Sequence, residues 1–175
     1  IEEFVRMVGY DSLPVSLPIG TIPNQLINRH YASRWSLKQL LSQSGWWEVV
    51  TNSLTDPQAD GVEPGVAIAN PLSSEWTHLR QSLLPGVLTV ARSNIRWQSN
   101  LQLFELSNVY MPAKGLPNEQ QTLALLLTGD SAERNLMQLK GLLQAMFGRL
   151  GLEAEKVSYR QGKKGPWYAP NAADI

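Results

Sequence analysis

Helix-like and strand-like stretches follow one another in this chain in an order that excludes most folds. Read from hydrophobic period, the order is helix, strand, strand, helix, strand, strand, helix, strand. Strands that succeed each other without a helix between them pair antiparallel, because a parallel pair needs a long crossover. The expected fold class is therefore α+β: an antiparallel sheet flanked by helices. No internal repeat or low-complexity tract competes with this reading.

Residues 1–10, IEEFVRMVGY, read as the end of a helix, with Phe4, Val5 and Val8 on one face and Gly9 placed to stop it. DSLPVSLPIGTIPN at 11–24 carries three prolines, each removing a backbone donor and fixing φ, so it reads as an extended linker and a domain boundary. Three parts follow: 1–13 as the end of a preceding domain, 14–28 as linker, and 29–175 as the core. In the core, Leu37, Leu40 and Leu41 mark a helix over 29–44 that Gly45 ends. WWEVVTNSL at 46–54 reads as a strand, 55–65 as a turn-rich loop and VAIAN at 66–70 as a short strand. Pro85 opens a helix to about Trp97, with Leu84, Val87, Leu88, Ala91 and Ile95 in its apolar stripe. Strands at 101–111 and 122–129 come next. Leu136, Leu139, Leu143, Met146, Phe147 and Leu150 mark a helix from Ala132 to Leu150, and 153–162 reads as a last strand.

Fifteen basic and fifteen acidic residues cancel, so no global field draws nucleic acid or anionic membrane. The absence of cysteine excludes disulfides, thiolate metal sites and a cysteine nucleophile. The leucine-rich run LALLL at 123–127 is far too short to span a bilayer, and no secretory leader opens the sequence, so a cytoplasmic setting is expected. The opening helix has no cap and no initiator methionine, which reads as a piece of a longer chain.

Motifs for chemistry are sparse. QGKKG at 161–165 has the lysines of a phosphate loop but not the glycine five residues earlier, and no zinc-protease, nucleophile-elbow or dinucleotide signature occurs. Glu75 and His78, three apart, would share one helical side, but a lone pair lacks a third metal ligand. His30 is the other histidine. Trp46 and Trp47 on a strand would point to opposite faces, one into the core and one to an interface. Arg92 and Arg96 are one helical turn apart and read as a solvated face. Arg149, Arg160, Lys163 and Lys164 are interleaved with Glu153 and Glu155 and read as a mixed surface. Glu2 and Glu3 diverge by about 100° on a helix and make no metal site alone.

Four strings in order carry a family resemblance: IEEFVRMVGYDSLP, SLKQLLSQSGWWEVVTNSL, NPLSSEWTHLRQSLLPGVLTVARSN with LQLFELSNVY, and TLALLLTGD with LMQLKGLLQAMFGRLG. Together they resemble the beta subunit of bacterial-type phenylalanine–tRNA ligase across nearly the whole chain. The resemblance implies a class II synthetase-like core that is non-catalytic. It also implies an alpha-subunit partner in an α2β2 assembly, where the alpha subunit uses ATP and phenylalanine to charge tRNA(Phe). It implies no catalytic residue here and no bound ATP. An active class II site needs an arginine on the strand after the second helix to hold the ATP α-phosphate; LQLFELSNVY offers Phe104, Glu105 and Leu106 instead, and a carboxylate repels phosphate. Arg80 then reads as scaffold or interface. Glu2 and Glu3 fall on the pair that, in the family, joins two upstream aspartates at Mg2+; those aspartates are not in this sequence, so a partial, weak or empty site is expected. Ser107 stands where the family often has glycine, and Ala169 and Asn171 depart from its His-Pro-Gly-Arg stretch.

Two other readings are a stand-alone enzyme using Glu75, His78 and Arg80, and an RNA-binding module using Arg92, Arg96 and the 160–164 cluster. Self-association through an exposed interface is a further expectation.

Overall fold

The computed structural model describes residues 1–17, 19–21, 26–56, 65–129 and 131–152, with the backbone of 160–161 and 173–174. The amino-terminal helix α1 (Glu2–Val8) ends at Gly9, whose φ of 94° suits glycine. A single 3-10 turn, Tyr10–Ser12, follows. From there to residue 28 the described backbone forms no helix or strand, as the prolines dictate.

Helix α2 (Arg29–Gln43) starts where the Asn28 side chain accepts a hydrogen bond from the Tyr31 N–H, and it gives way to Gly45 at φ 84°. The central sheet has three strands in the order β1, β4, β5. Strand β4 (Gln102–Met111) pairs antiparallel with β5 (Asn118–Leu127) along its whole length, from Gln102 opposite Leu127 to Met111 opposite Asn118. Strand β1 (Trp47–Glu48) runs parallel to β4, with Trp47 opposite Leu103. This departs from the all-antiparallel expectation. The chain between β1 and β4 is long enough to make the crossover that parallel pairing requires.

The run 46–54 is not one strand. It splits into β1 and β2 (Leu54–Thr55), and β2 pairs antiparallel with β3 (His78–Leu79) in a separate two-stranded ribbon. The expected strand at 66–70 is reduced to one bridge, Ala67 to His78. Helix α3 (Leu84–Asn94) and helix α4 (Ala132–Arg149) stand where apolar period places them. Of the last expected strand, 153–162, only β6 (Arg160–Gln161) falls among the described residues; it pairs with β7 (Ala173–Asp174).

The pleat of β4 sorts its side chains onto two faces. Leu103 and Val109, with Ala124 of β5, meet Leu83, Val87 and Ala91 at α3. Phe104 meets Leu41 of α2, Trp46, and Leu142 and Met146 of α4. The sheet is thus sandwiched, with α3 on one side and α2 and α4 on the other. Leu84, Leu88 and Ile95 of the α3 stripe, with Leu136 of α4 and Leu150 just after it, stay partly exposed.

Candidate functional site

Arg80 follows β3 directly and joins three segments through its backbone. Its N–H donates to Ser53 O at 3.0 Å, and its carbonyl accepts from Tyr110 N–H at 2.9 Å. These two bonds tie the β2–β3 ribbon to the far end of β4. They also aim the side chain beneath α3, where it is only 3% exposed.

Glu105 lies on the α3 face of β4 because it alternates in phase with Leu103, and it sits opposite the small Ala124. It is 1% exposed. A carboxylate there must be ionically and hydrogen-bonded to be tolerated. It is: Arg80 Nη1 donates to Oε1 at 2.9 Å, the Thr51 N–H donates to Oε1 at 3.2 Å, and the Thr51 hydroxyl donates to Oε2 at 2.7 Å. Arg80 Nη1 also faces Thr51 Oγ1 at 2.8 Å and the carbonyls of Thr51 and Asn52 at 3.2 and 3.3 Å. Its Nε donates to Asn108 O at 3.0 Å.

Gly86 closes the arrangement. It stands in the first turn of α3, and a Cβ there would lie 2.6 Å from Thr51 Oγ1 and 2.9 Å from Thr51 Cβ. Only glycine lets the helix approach the threonine that bridges Arg80 and Glu105. Above this cluster opens a pocket of about 520 Å³ whose wall includes Arg80, Thr51, Trp76, Glu75 and the α3 residues Gly86 and Thr89. The volume is in the range of small-molecule sites.

A phosphate grip needs a cation free to face substrate charge. Arg80 is not free in that sense, since moving it would strand a buried carboxylate. Among the other sequence candidates, Glu75 is exposed at the pocket, and His78 lies on β3, not on a helix, with Nδ1 2.8 Å from Thr77 Oγ1. His78 is absent from the pocket wall, so Glu75, His78 and Arg80 do not converge. Trp46 is buried at 4% and Trp47 exposed at 72%, the split that alternation implies. Arg92 is exposed, His30 is exposed on α2, and Arg96 stacks over Trp97 at 5.1 Å. Arg149 donates to Ser36 Oγ at 2.8 Å and links α4 to α2. Phe104 and Leu106 are core residues, and Ser107 is half-buried. Glu2 and Glu3 are exposed, with Glu3 3.4 Å from Arg6. Among the described residues, no three potential metal ligands cluster. Glu153, Glu155, Lys163, Lys164, Ala169, Asn171 and the Arg160 side chain lie outside what is described. No described helix is long and apolar enough to cross a membrane.

Thr51 and Gly86 carry no sequence signal as site residues, but Glu105 does. A carboxylate inside LQLFEL, on the same strand face as Leu103, demands a buried cation, and Arg80 supplies it.

The family model described as phenylalanyl tRNA synthetase beta chain CLM domain matches residues 13–175. A phenylalanine–tRNA ligase beta subunit of Bacillus cereus is 31% identical over 194 residues, covering 100% of this chain and 24% of the relative. That of Symbiobacterium thermophilum is 33% identical over 173 residues, covering 87% of this chain and 19% of the relative. The chain thus spans a minor part of these relatives. Among solved structures, the pyrrolysyl tRNA synthetase PylSc of Desulfitobacterium hafniense superposes with a TM-score of 0.62 at 22% identity, covering 77% of this chain and 49% of that one. An ATP phosphoribosyltransferase regulatory subunit/histidyl-tRNA synthetase of Bacillus halodurans gives 0.59 at 17%, covering 85% and 41%. These likenesses establish the fold as class II synthetase-like α+β.

Proposed function

This chain belongs to the phenylalanyl tRNA synthetase beta chain CLM domain family, and we propose that it serves there as a non-catalytic scaffold packing on a catalytic alpha subunit. The whole enzyme would join phenylalanine to tRNA(Phe) at the expense of ATP, in an α2β2 assembly in the cytoplasm. The observation that carries the scaffold role is the Arg80–Glu105 pair. The arginine nearest the pocket is matched by a buried carboxylate, and β4 carries no arginine. Neither offers uncompensated charge to a triphosphate, which supports a role in which ATP is handled in the partner subunit.

The exposed apolar side chains of the first two core helices supply an interface. Tyr31 and Trp35 on α2, and Leu84, Leu88 and Ile95 in and just after α3, are more than a monomer's surface needs. Either of these surfaces, on opposite sides of the sheet, would let the chain self-associate when the partner is missing. We place residues 1–13 at the end of a preceding domain, 14–28 as linker and 29–175 as the core. Glu2 and Glu3 would hold Mg2+ only with oxygens from another segment or subunit; two exposed carboxylates, one turned to Arg6, do not suffice.

The test is light scattering on a sizing column after mixing the chain with an alpha subunit from the same source. A heteromeric peak is expected. Separate peaks from a folded chain would contradict an interface carried by this part of the subunit.

A further inference from the structure

Arg80, in the wall of the pocket, carries an unanswered donor. All the acceptors around the guanidinium face Nε or Nη1; among the described residues, neither N–H of Nη2 has an acceptor. Arg80 forms part of the pocket wall and is buried. Buried donors are rarely left without a partner, and such an exception marks a place for a ligand or ordered water. A second donor belongs to another lining residue. The first turn of α3 leaves the Gly86 N–H with no acceptor among the described residues, and Gly86 lines the same pocket.

The charges on the wall point the other way. Arg80 is neutralised by Glu105 at 2.9 Å; of the two carboxylates on the wall, Asp56 and Glu75, Glu75 has no ion-pair partner among the described residues. An anionic acceptor would face that carboxylate; an uncharged acceptor would not be repelled. A cation would be drawn to Glu75 at the exposed end, and the indole of Trp76 offers a face for it. Leu54 and Val90 line the space between.

We propose that this pocket binds a small organic cation that carries an uncharged carbonyl, the chemistry of an amino-acid amide. The carbonyl accepts from Arg80 Nη2 and the Gly86 N–H. The ammonium meets Glu75, and an apolar body packs on Trp76 and Val90. The assignment does not depend on the scaffold role, since a scaffold and an enzyme could both hold such a ligand.

Titration calorimetry of the 175-residue chain at low salt tests it with three probes: leucinamide, 3-methylbutylamine, which lacks the carbonyl, and 4-methylpentanamide, which lacks the ammonium. Leucinamide is expected to bind saturably and each truncated probe about tenfold more weakly, the scale of one charge-assisted contact. Glu75→Gln should weaken leucinamide severalfold and leave 4-methylpentanamide unchanged, Asp56 keeping part of the anionic charge of the wall. Thr89→Phe, an exposed substitution that fills the pocket, should abolish binding of all three while the circular dichroism spectrum stays the same. No saturable heat with leucinamide, equal affinity for the three probes, or binding that survives Thr89→Phe would each overturn the proposal.

Discussion

Phe104 and Glu105 are neighbours on one strand and equally hidden, at 0% and 1% exposure, yet opposite physics holds them there. Phe104 faces α2 and α4 among Leu41, Trp46, Leu142 and Met146, where contact is non-directional. Glu105 faces α3, where its position depends on Arg80, Thr51 and the missing side chain of Gly86. The apolar side of the sheet should tolerate change of shape; the ionic side should fail when either partner is lost. The proposed scaffold role rests on the same division, because Arg80 is held by the buried carboxylate of Glu105.

The largest expected effect breaks that contrast directly. Glu105→Leu leaves a buried guanidinium without its counter-charge and should cost about 3–5 kcal/mol in urea unfolding. Phe104→Leu, one residue away, should cost about 1.5 kcal/mol or less. Equal losses at the two sites would show that the faces do not differ. Adding Arg80→Met to Glu105→Leu should recover part of the loss, with a coupling energy of about 2 kcal/mol or more.

Two helix glycines probe the ionic side further. Alanine is the better helix former by roughly 0.5–1 kcal/mol. At Gly141 in α4 a Cβ would meet nothing within 4 Å, so Gly141→Ala should gain about that amount. At Gly86 the new methyl would meet Thr51 at 2.6 Å, and the strain should reverse the sign to a loss of about 1–2 kcal/mol. Thermal melts of both variants check the pair; a stabilised Gly86→Ala would mean that Thr51 moves freely and the cluster is loose.

The smallest effect is expected at the half-exposed Lys38–Glu48 bridge between α2 and β1. Lys38→Ala should change stability by no more than about 1 kcal/mol, since partly solvated pairs contribute little. A loss as large as that of Glu105→Leu would remove burial as the explanation for the difference.

Much of this is legible in the sequence where the cause is local. The Leu37, Leu40, Leu41 spacing marks α2, and the alternation of LQLFELSNVYM marks β4. Trp46 and Trp47 divide between core and surface as adjacent side chains on an extended chain do, although the strand itself begins only at Trp47. What stays hidden depends on distant partners. His78–Leu79 becomes a strand only because Leu54 and Thr55 lie beside it, and VAIAN, strand-like in composition, finds a partner for one residue alone. The parallel pairing of β1 is invisible for the same reason. At the site, Arg80 is legible as a frame residue by resemblance. Its partner Glu105 reads from sequence as a group that repels phosphate; the carboxylate is instead committed to Arg80, so the site lacks a free cation rather than presenting a free anion on β4.

That Arg80 frames the fold and takes no part in the synthetase chemistry is best checked in the assembled enzyme. A full-length beta subunit carrying Arg80→Met with Glu105→Leu would be combined with its alpha subunit and assayed for phenylalanine-dependent ATP–pyrophosphate exchange. The expected result is normal assembly and a rate within about twofold of the unmodified enzyme, as for any pair outside the chemistry. Normal assembly with a loss of about 100-fold or more, the scale of a lost transition-state contact, would contradict it and return Arg80 to the active site.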